Sequence, residues 1–114
     1  DQLFALETIR ALKSPASEDH LRDFLSRPAN ILIAASDAGV PVGYLIAYLL
    51  DRIDGSGGMM LFYEISVAES HRGRGVGTKM IAELKSLCRR PDVAKMWVHT
   101  NWSNTAATRL YSRT

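Results

Sequence analysis

The sequence predicts a mixed α/β domain, with a mostly antiparallel sheet, a parallel pair of strands within it, and flanking helices. Three observations predict it. Apolar residues recur at helical spacing near the N-terminus. Two apolar runs flank a short Asp/Gly turn. After them come a strand, a glycine turn, a helix and another strand. That last order is a crossover unit, so its two strands, residues 60–67 and 95–99, are expected to run parallel.

Leu3, Leu6, Ile9 and Leu12 share one face of a first helix, which Pro15 closes. Ser17 is placed to cap a second helix, with Glu18 and Asp19 in its first turn, where negative charge suits the helix dipole. Leu21, Phe24 and Leu25 give this helix its apolar face, and Pro28 ends it. The run Ile31-Leu32-Ile33-Ala34-Ala35 and the residues from Val42 to Leu50 enclose Asp37-Ala38-Gly39, which reads as an antiparallel hairpin. Pro41 stands at the start of the second strand, where a missing N–H is tolerated. Residues 51–58 hold three glycines and read as a mobile loop. The third strand, residues 60–67, is apolar enough to be buried on both faces. Val76, Met80, Ile81, Leu84 and Leu87 mark a helix that Pro91 terminates. A fourth strand follows, and Asn104 is placed to cap a last helix bearing Ala107, Leu110 and Tyr111.

A chain of 114 residues fits one domain, spanning 1–114. A net charge of +2 calls for neither nucleic acid nor a membrane surface as partner. No apolar run approaches a bilayer span and no signal-peptide pattern opens the chain, so a cytoplasmic setting is expected. Cys88 is the single cysteine, which excludes an intramolecular disulfide and a zinc cluster; it reads as a small buried apolar residue. The start at Asp1 and the end at Thr114, straight after a helical pattern, lead us to expect a piece of a longer gene product.

The chemistry concentrates in Arg72-Gly73-Arg74-Gly75-Val76-Gly77, followed by Thr78. A glycine turn between strand and helix presents several backbone N–H groups at the positive end of the helix, which suits phosphate or pyrophosphate. Arg72, Arg74 and Lys79 add positive charge. The spacing lacks the last glycine of a dinucleotide fingerprint and the Gly-Lys-Ser/Thr of a nucleotide P-loop. A tight turn with surface arginines is the alternative reading of the same letters.

The surrounding residues carry a resemblance. Val67-Ala68-Glu69-Ser70-His71-Arg72-Gly73-Arg74-Gly75-Val76-Gly77 resembles the acetyl-CoA-binding motif of the GNAT superfamily, Gln/Arg-x-x-Gly-x-Gly/Ala at the start of a helix. Asn104-x-x-Ala107-x-x-Leu110-Tyr111 resembles its second motif. The resemblance implies a GNAT fold and direct attack of an amine on an acyl-CoA thioester in a ternary complex. Acetyl-CoA is then the acyl donor, with its pyrophosphate on the amides of Arg72 to Gly77 and contacts extending to Thr78 and Asn104. The pantetheine arm would follow Ile65, Ser66 and Val67, and the Val67 amide would face the oxyanion. Tyr111 takes the place of the general acid that protonates the thiolate, with a core aromatic as its alternative. The resemblance leads us to expect that the family's further strands after the Tyr111 helix are missing, and that the sheet edge this would leave invites pairing into a homodimer.

Glu64 is the candidate base. It interrupts an apolar strand, where a carboxylate needs a partner or a cleft, and partial desolvation is expected to raise its pKa. A solvent-facing edge glutamate is the alternative. His71 is expected in the pyrophosphate loop, His20 on an exposed helix, and His99 at a strand end as a reserve base.

Residues 27–85 are most similar to aminoglycoside 3-N-acetyltransferases. Tyr63-Glu64-Ile65-Ser66-Val67 and His71-Arg72 echo that group, although Glu64 replaces an Asp and Met59 replaces an acidic residue. Asp51, Asp54, Glu64 and Glu69 are candidates for an acidic rim around a cationic amine acceptor. The rival readings are an acetyltransferase of a protein N-terminus, polyamine or small metabolite, and a non-catalytic GNAT module that binds coenzyme A.

Overall fold

The structure is a computed structural model that describes residues 2–15 and 17–98. Helices α1 (Gln2–Leu12) and α2 (Glu18–Ser26) precede strands β1 (Asn30–Asp37), β2 (Val40–Leu50) and β3 (Gly58–Val67); helix α3 (Val76–Leu87) and strand β4 (Val93–Val98) follow. The strands lie in the order β1-β2-β3-β4. The first two pairings are antiparallel, and β3–β4 is parallel, as a crossover through α3 requires.

Local chemistry sets these elements. Ser17 caps α2, its side chain accepting the His20 N–H at 3.0 Å. The β1–β2 hairpin closes through Ala38 and Gly39, both at positive φ (51° and 80°), the primed-turn geometry that matches strand twist. Pro41 faces Ser36 where the ladder shifts register, a place that needs no proline N–H. The third strand starts two residues earlier than expected, at Gly58, whose N–H donates to Asp92 O at 2.6 Å. The loop before it is built on Asp54, whose Oδ1 accepts the Ser56 N–H at 3.0 Å and the Ser56 hydroxyl at 2.6 Å.

Alternation along β2 divides the core between the faces of the sheet. Leu45 and Ala47 pack with Met60, Phe62 and α3 residues Met80, Ile81 and Leu84. Tyr44 and Ile46 pack on the other face against Ile9 of α1, while Ala5 and Leu6 of α1 meet Leu21 of α2. Leu45, Met60, Ile81 and Leu84 are fully buried. Each such side chain contributes about 1.5–3 kcal/mol by leaving water. Thr8 is also fully buried, and its hydroxyl is satisfied by donating to Phe4 O at 2.8 Å.

A bulge in β3 fixes the site. Ile46 pairs with Glu64 and Ala47 with Phe62, so Tyr63 is the extra residue on β3. Met60 and Phe62 point toward α3, and so do Ile65 and Val67 beyond the bulge. Tyr63 and Glu64 both turn to the α1 face, where Tyr63 meets the Tyr48 ring and Glu64 meets Lys13 and Tyr44. Strict alternation from Met60 would have placed Glu64 among the apolar side chains of α3. The expectation that this strand is buried on both faces is therefore corrected: Tyr63 is exposed and Glu64 only half-buried.

Candidate functional site

Beyond Val67, the Ala68 N–H donates to Val42 O at 2.8 Å and a 3-10 turn, Glu69–His71, leads into the glycines. Gly73 and Gly75 hold φ values of 78° and 83°, a region open to glycine and costly for other residues. A Cβ at Gly75 would meet nothing within 4 Å, so glycine is required there by conformation alone. Gly75 caps α3, and its carbonyl accepts the Lys79 N–H at 3.0 Å, the first bond of the helix. The amides of Val76, Gly77 and Thr78 precede that bond and open at the positive end of the helix dipole. Arg72, Arg74 and Lys79 are exposed around them. This geometry suits a phosphate or pyrophosphate.

The cradle is aligned with the end of β3 through Gly43. This β2 residue pairs with Val67, and a Cβ there would lie 2.9 Å from Met80 Cε, 3.2 Å from Val76 Cγ1 and 3.2 Å from Ser66 O. The first turn of α3 thus rests directly on the β2 backbone. The Ala68 N–H faces β2, so alternation directs the backbone groups of Ser66 to β2 and those of Ile65 and Val67 to the opposite side. On that side Val67 O accepts Arg72 Nε at 3.1 Å. Ile65, Ser66 and Val67 thereby lead along β3 to the glycine loop, while the pairing of β3 with β4 is described as far as Phe62 opposite Val98.

Glu64 sits on the other face. Both its carboxylate oxygens receive the Lys13 ammonium, at 2.8 and 2.9 Å, and Oε2 also accepts the Tyr44 hydroxyl. Burial pushes the Glu64 carboxyl up, but the Lys13 and Tyr44 hydrogen bonds and the Lys13 charge together outweigh it and hold the pKa below the ordinary value. The expectation of a raised pKa is thus overturned. A carboxylate with two donors is stabilised in its charged form, and neither donor was visible from the strand alone. Tyr44 is pushed up, first by burial and then by its bond to Glu64, so it remains a donor.

The other candidates scatter. Asp51 and Asp54 precede β3, whereas Glu69 follows it. At about 3.3 Å per residue the strand separates them by roughly 30 Å, so the four acidic residues form no common rim. His71 lies just before the glycine loop, with Nε2 2.8 Å from Asp37 Oδ2 and Nδ1 2.8 Å from Ser70 Oγ, and ties the loop to the β1–β2 turn. His20 is exposed on α2. Cys88 caps α3 with Sγ 3.8 Å from Met96 Sδ, and burial pushes its thiol up, which suits packing over nucleophilic chemistry. Tyr111, Asn104 and His99 lie outside the described residues. No group of three metal-ligating side chains and no helix long and apolar enough to cross a membrane occurs among the described residues.

Lys13, Tyr44 and Gly43 are the site residues that sequence reasoning missed. A glycine inside an apolar strand signals close backbone approach, so Gly43 had a signal. Lys13 and Tyr44 had none: each looks like an ordinary residue of its own element.

The glycine turn at the start of α3 is thus an anion site, and Glu64 lies on the opposite face of the same sheet. The chain belongs to the acetyltransferase (GNAT) family, whose model matches residues 2–114. Among solved structures, it is similar to an aminoglycoside acetyltransferase from an uncultured soil metagenomic sample, at 29% identity and a TM-score of 0.77, over 88% of this chain and 67% of that one. A second aminoglycoside acetyltransferase from such a sample, in complex with sisomicin, shares the fold at 21% identity and a TM-score of 0.79, over 99% of this chain and 76% of that one. So does a ribosomal-protein-alanine N-acetyltransferase from Brucella melitensis, at 19% identity and a TM-score of 0.75, over 99% and 83% of the two chains. No curated protein sequence matches the chain. The protein is an N-acetyltransferase.

Proposed function

We propose that this protein transfers an acetyl group from acetyl-CoA to a primary amine of a cationic small molecule by direct attack, an aminoglycoside being the acceptor class its neighbours favour. The observation that carries this reading is the bulge at Tyr63, which turns Glu64 to the face opposite α3 while Val67 directs its backbone to the side away from β2. Donor and acceptor then approach from opposite faces and meet at the edge of β3. The amides of Arg72 to Gly77 and Thr78 hold the pyrophosphate, and the backbone of Ile65, Ser66 and Val67 guides the pantetheine arm. The Val67 N–H donates to the thioester oxygen as it gains charge, a contact that stabilises the transition state more than the ground state.

Glu64 remains ionised, binds the acceptor ammonium and takes its proton. The exposed ring of Tyr63 walls the acceptor on the same face. The motif assigns Asn104 to the cofactor and Tyr111 to protonation of the departing thiolate. The test is an acceptor screen with acetyl-CoA and a thiol-release readout, covering aminoglycosides, polyamines and peptides with N-terminal alanine. Turnover confined to aminoglycosides supports the reading, and turnover confined to the peptides favours a protein N-terminus. Tight CoA binding without turnover on any amine would make the chain a binding module. Glu64→Gln should lower the rate by about 10²–10⁴-fold, the range for a general base.

A further inference from the structure

Any amine that this reaction acylates must lie within hydrogen-bond reach of the group that takes its proton. One amine of the chain already does. Lys13 Nζ lies 2.8 and 2.9 Å from the two Glu64 oxygens, and its backbone is fixed at the end of α1, where Lys13 N and Ser14 N donate to Ile9 O at 2.9 and 3.0 Å. The Lys13 side chain is 39% exposed and the Glu64 side chain 26%, so the nitrogen is open to solvent and not sealed in the core. It occupies the place that an acceptor ammonium would take.

We propose that Lys13 is a self-acetylation site: without an external acceptor, its Nζ receives the acetyl group of acetyl-CoA bound to the same chain. This rests on the N-acetyltransferase reading above. The Lys13 ammonium gives a proton to Glu64, and the neutral amine attacks the thioester carbonyl carbon. A C–N bond forms, the C–S bond breaks, and its electron pair leaves on sulfur, which takes up a proton as coenzyme A. One acetyl group moves and one proton is released overall. The amide carries no charge, so Glu64 loses its ammonium partner and keeps only Tyr44. The acceptor place is then vacated by the cation that filled it, and self-acetylation primes the site for an external ammonium.

The other lysines supply internal controls. Lys79 and Lys95 are exposed and Lys85 half-buried, and none stands beside Glu64. Spontaneous reaction with acetyl-CoA follows exposure, so it would label Lys79 and Lys95 at least as readily as Lys13. The experiment incubates the purified protein with acetyl-CoA alone and follows each lysine by peptide mass spectrometry, with acetyl-CoA binding measured in parallel by calorimetry. Lys13 should be acetylated at least tenfold faster than the other three, at a rate independent of protein concentration. Glu64→Gln should abolish that preference. Lys13→Arg, which retains the ion pair and the fold, should remove the fast-labelled site without creating another. Acetyl-CoA binding with even labelling of all four lysines overturns the self-acceptor role and leaves the enzyme reading intact. A rate proportional to protein concentration also overturns it, since the transfer would then be between molecules. Absence of acetyl-CoA binding removes both readings.

Discussion

Lys13 Nζ bridges both carboxylate oxygens of Glu64, joining the residue after α1 to the bulge in β3 across 51 positions of sequence. The pair lies at the face of the sheet opposite α3, and the Tyr44 hydroxyl completes it. It connects the first helix to the strand that carries the candidate chemistry.

The Glu64 carboxyl is held below its ordinary pKa in the folded state. Its charge therefore contributes stability above the unfolded carboxyl pKa, and the contribution is lost as pH falls through the lowered folded value. Lys13→Met removes most of what lowers it. Because the pair is partly exposed and screened, the variant should be less stable by only about 1 kcal/mol at neutral pH. The gap should close in acid. Urea denaturation of both proteins at neutral and acidic pH checks this, and a gap constant with pH would show that Lys13 acts through packing alone.

Tyr44 is buried, and its hydroxyl is a donor to an ionised partner. Tyr44→Phe should destabilise by about 1.5–3 kcal/mol, the range for a hydrogen bond to a charged group. In a Glu64→Gln background the same change should cost about 1 kcal/mol or less. A double-mutant cycle by denaturant unfolding measures the difference, and additive costs would mean that the two side chains are not coupled.

Gly43 is limited by space, unlike Gly75. In Gly43→Val the Cβ alone would lie 2.9 Å from Met80 Cε and 3.2 Å from both Val76 Cγ1 and the Ser66 carbonyl, so these neighbours must shift. Overpacking of this kind costs about 1–3 kcal/mol. The displaced element is the first turn of α3, so acetyl-CoA affinity should fall with stability. Retained affinity in a destabilised protein would separate the cradle from the Gly43 contact.

Much of the sheet was legible because its signals are local. Apolar alternation, the Asp37-Ala38-Gly39 turn and the capped α2 each lie within a few residues, and the parallel β3–β4 pair follows from the crossover. The conformation of the glycine turn was legible for the same reason, since Gly73 and Gly75 announce positive φ by their identity. The bulge was not: Tyr63 and Glu64 carry no glycine or proline to mark it, and only the register against β2 reveals it. Without the bulge and Lys13, Glu64 reads as a desolvated carboxylate with a raised pKa. The long-range partners that reverse this shift come from α1 and β2, and no short window of sequence contains them.

The central claim is that the glycine loop and the start of α3 hold the pyrophosphate of a CoA thioester. Calorimetric titration of CoA and of pantetheine, which lacks the pyrophosphate, into wild type and Gly75→Val tests it most directly. A Cβ at Gly75 meets nothing within 4 Å, but a valine at φ of 83° is strained by about 1–3 kcal/mol, so it distorts the turn through the backbone. Wild type should bind CoA at least tenfold more tightly than pantetheine, and Gly75→Val should lose most of that advantage. Equal affinity of wild type for the two ligands would contradict the claim.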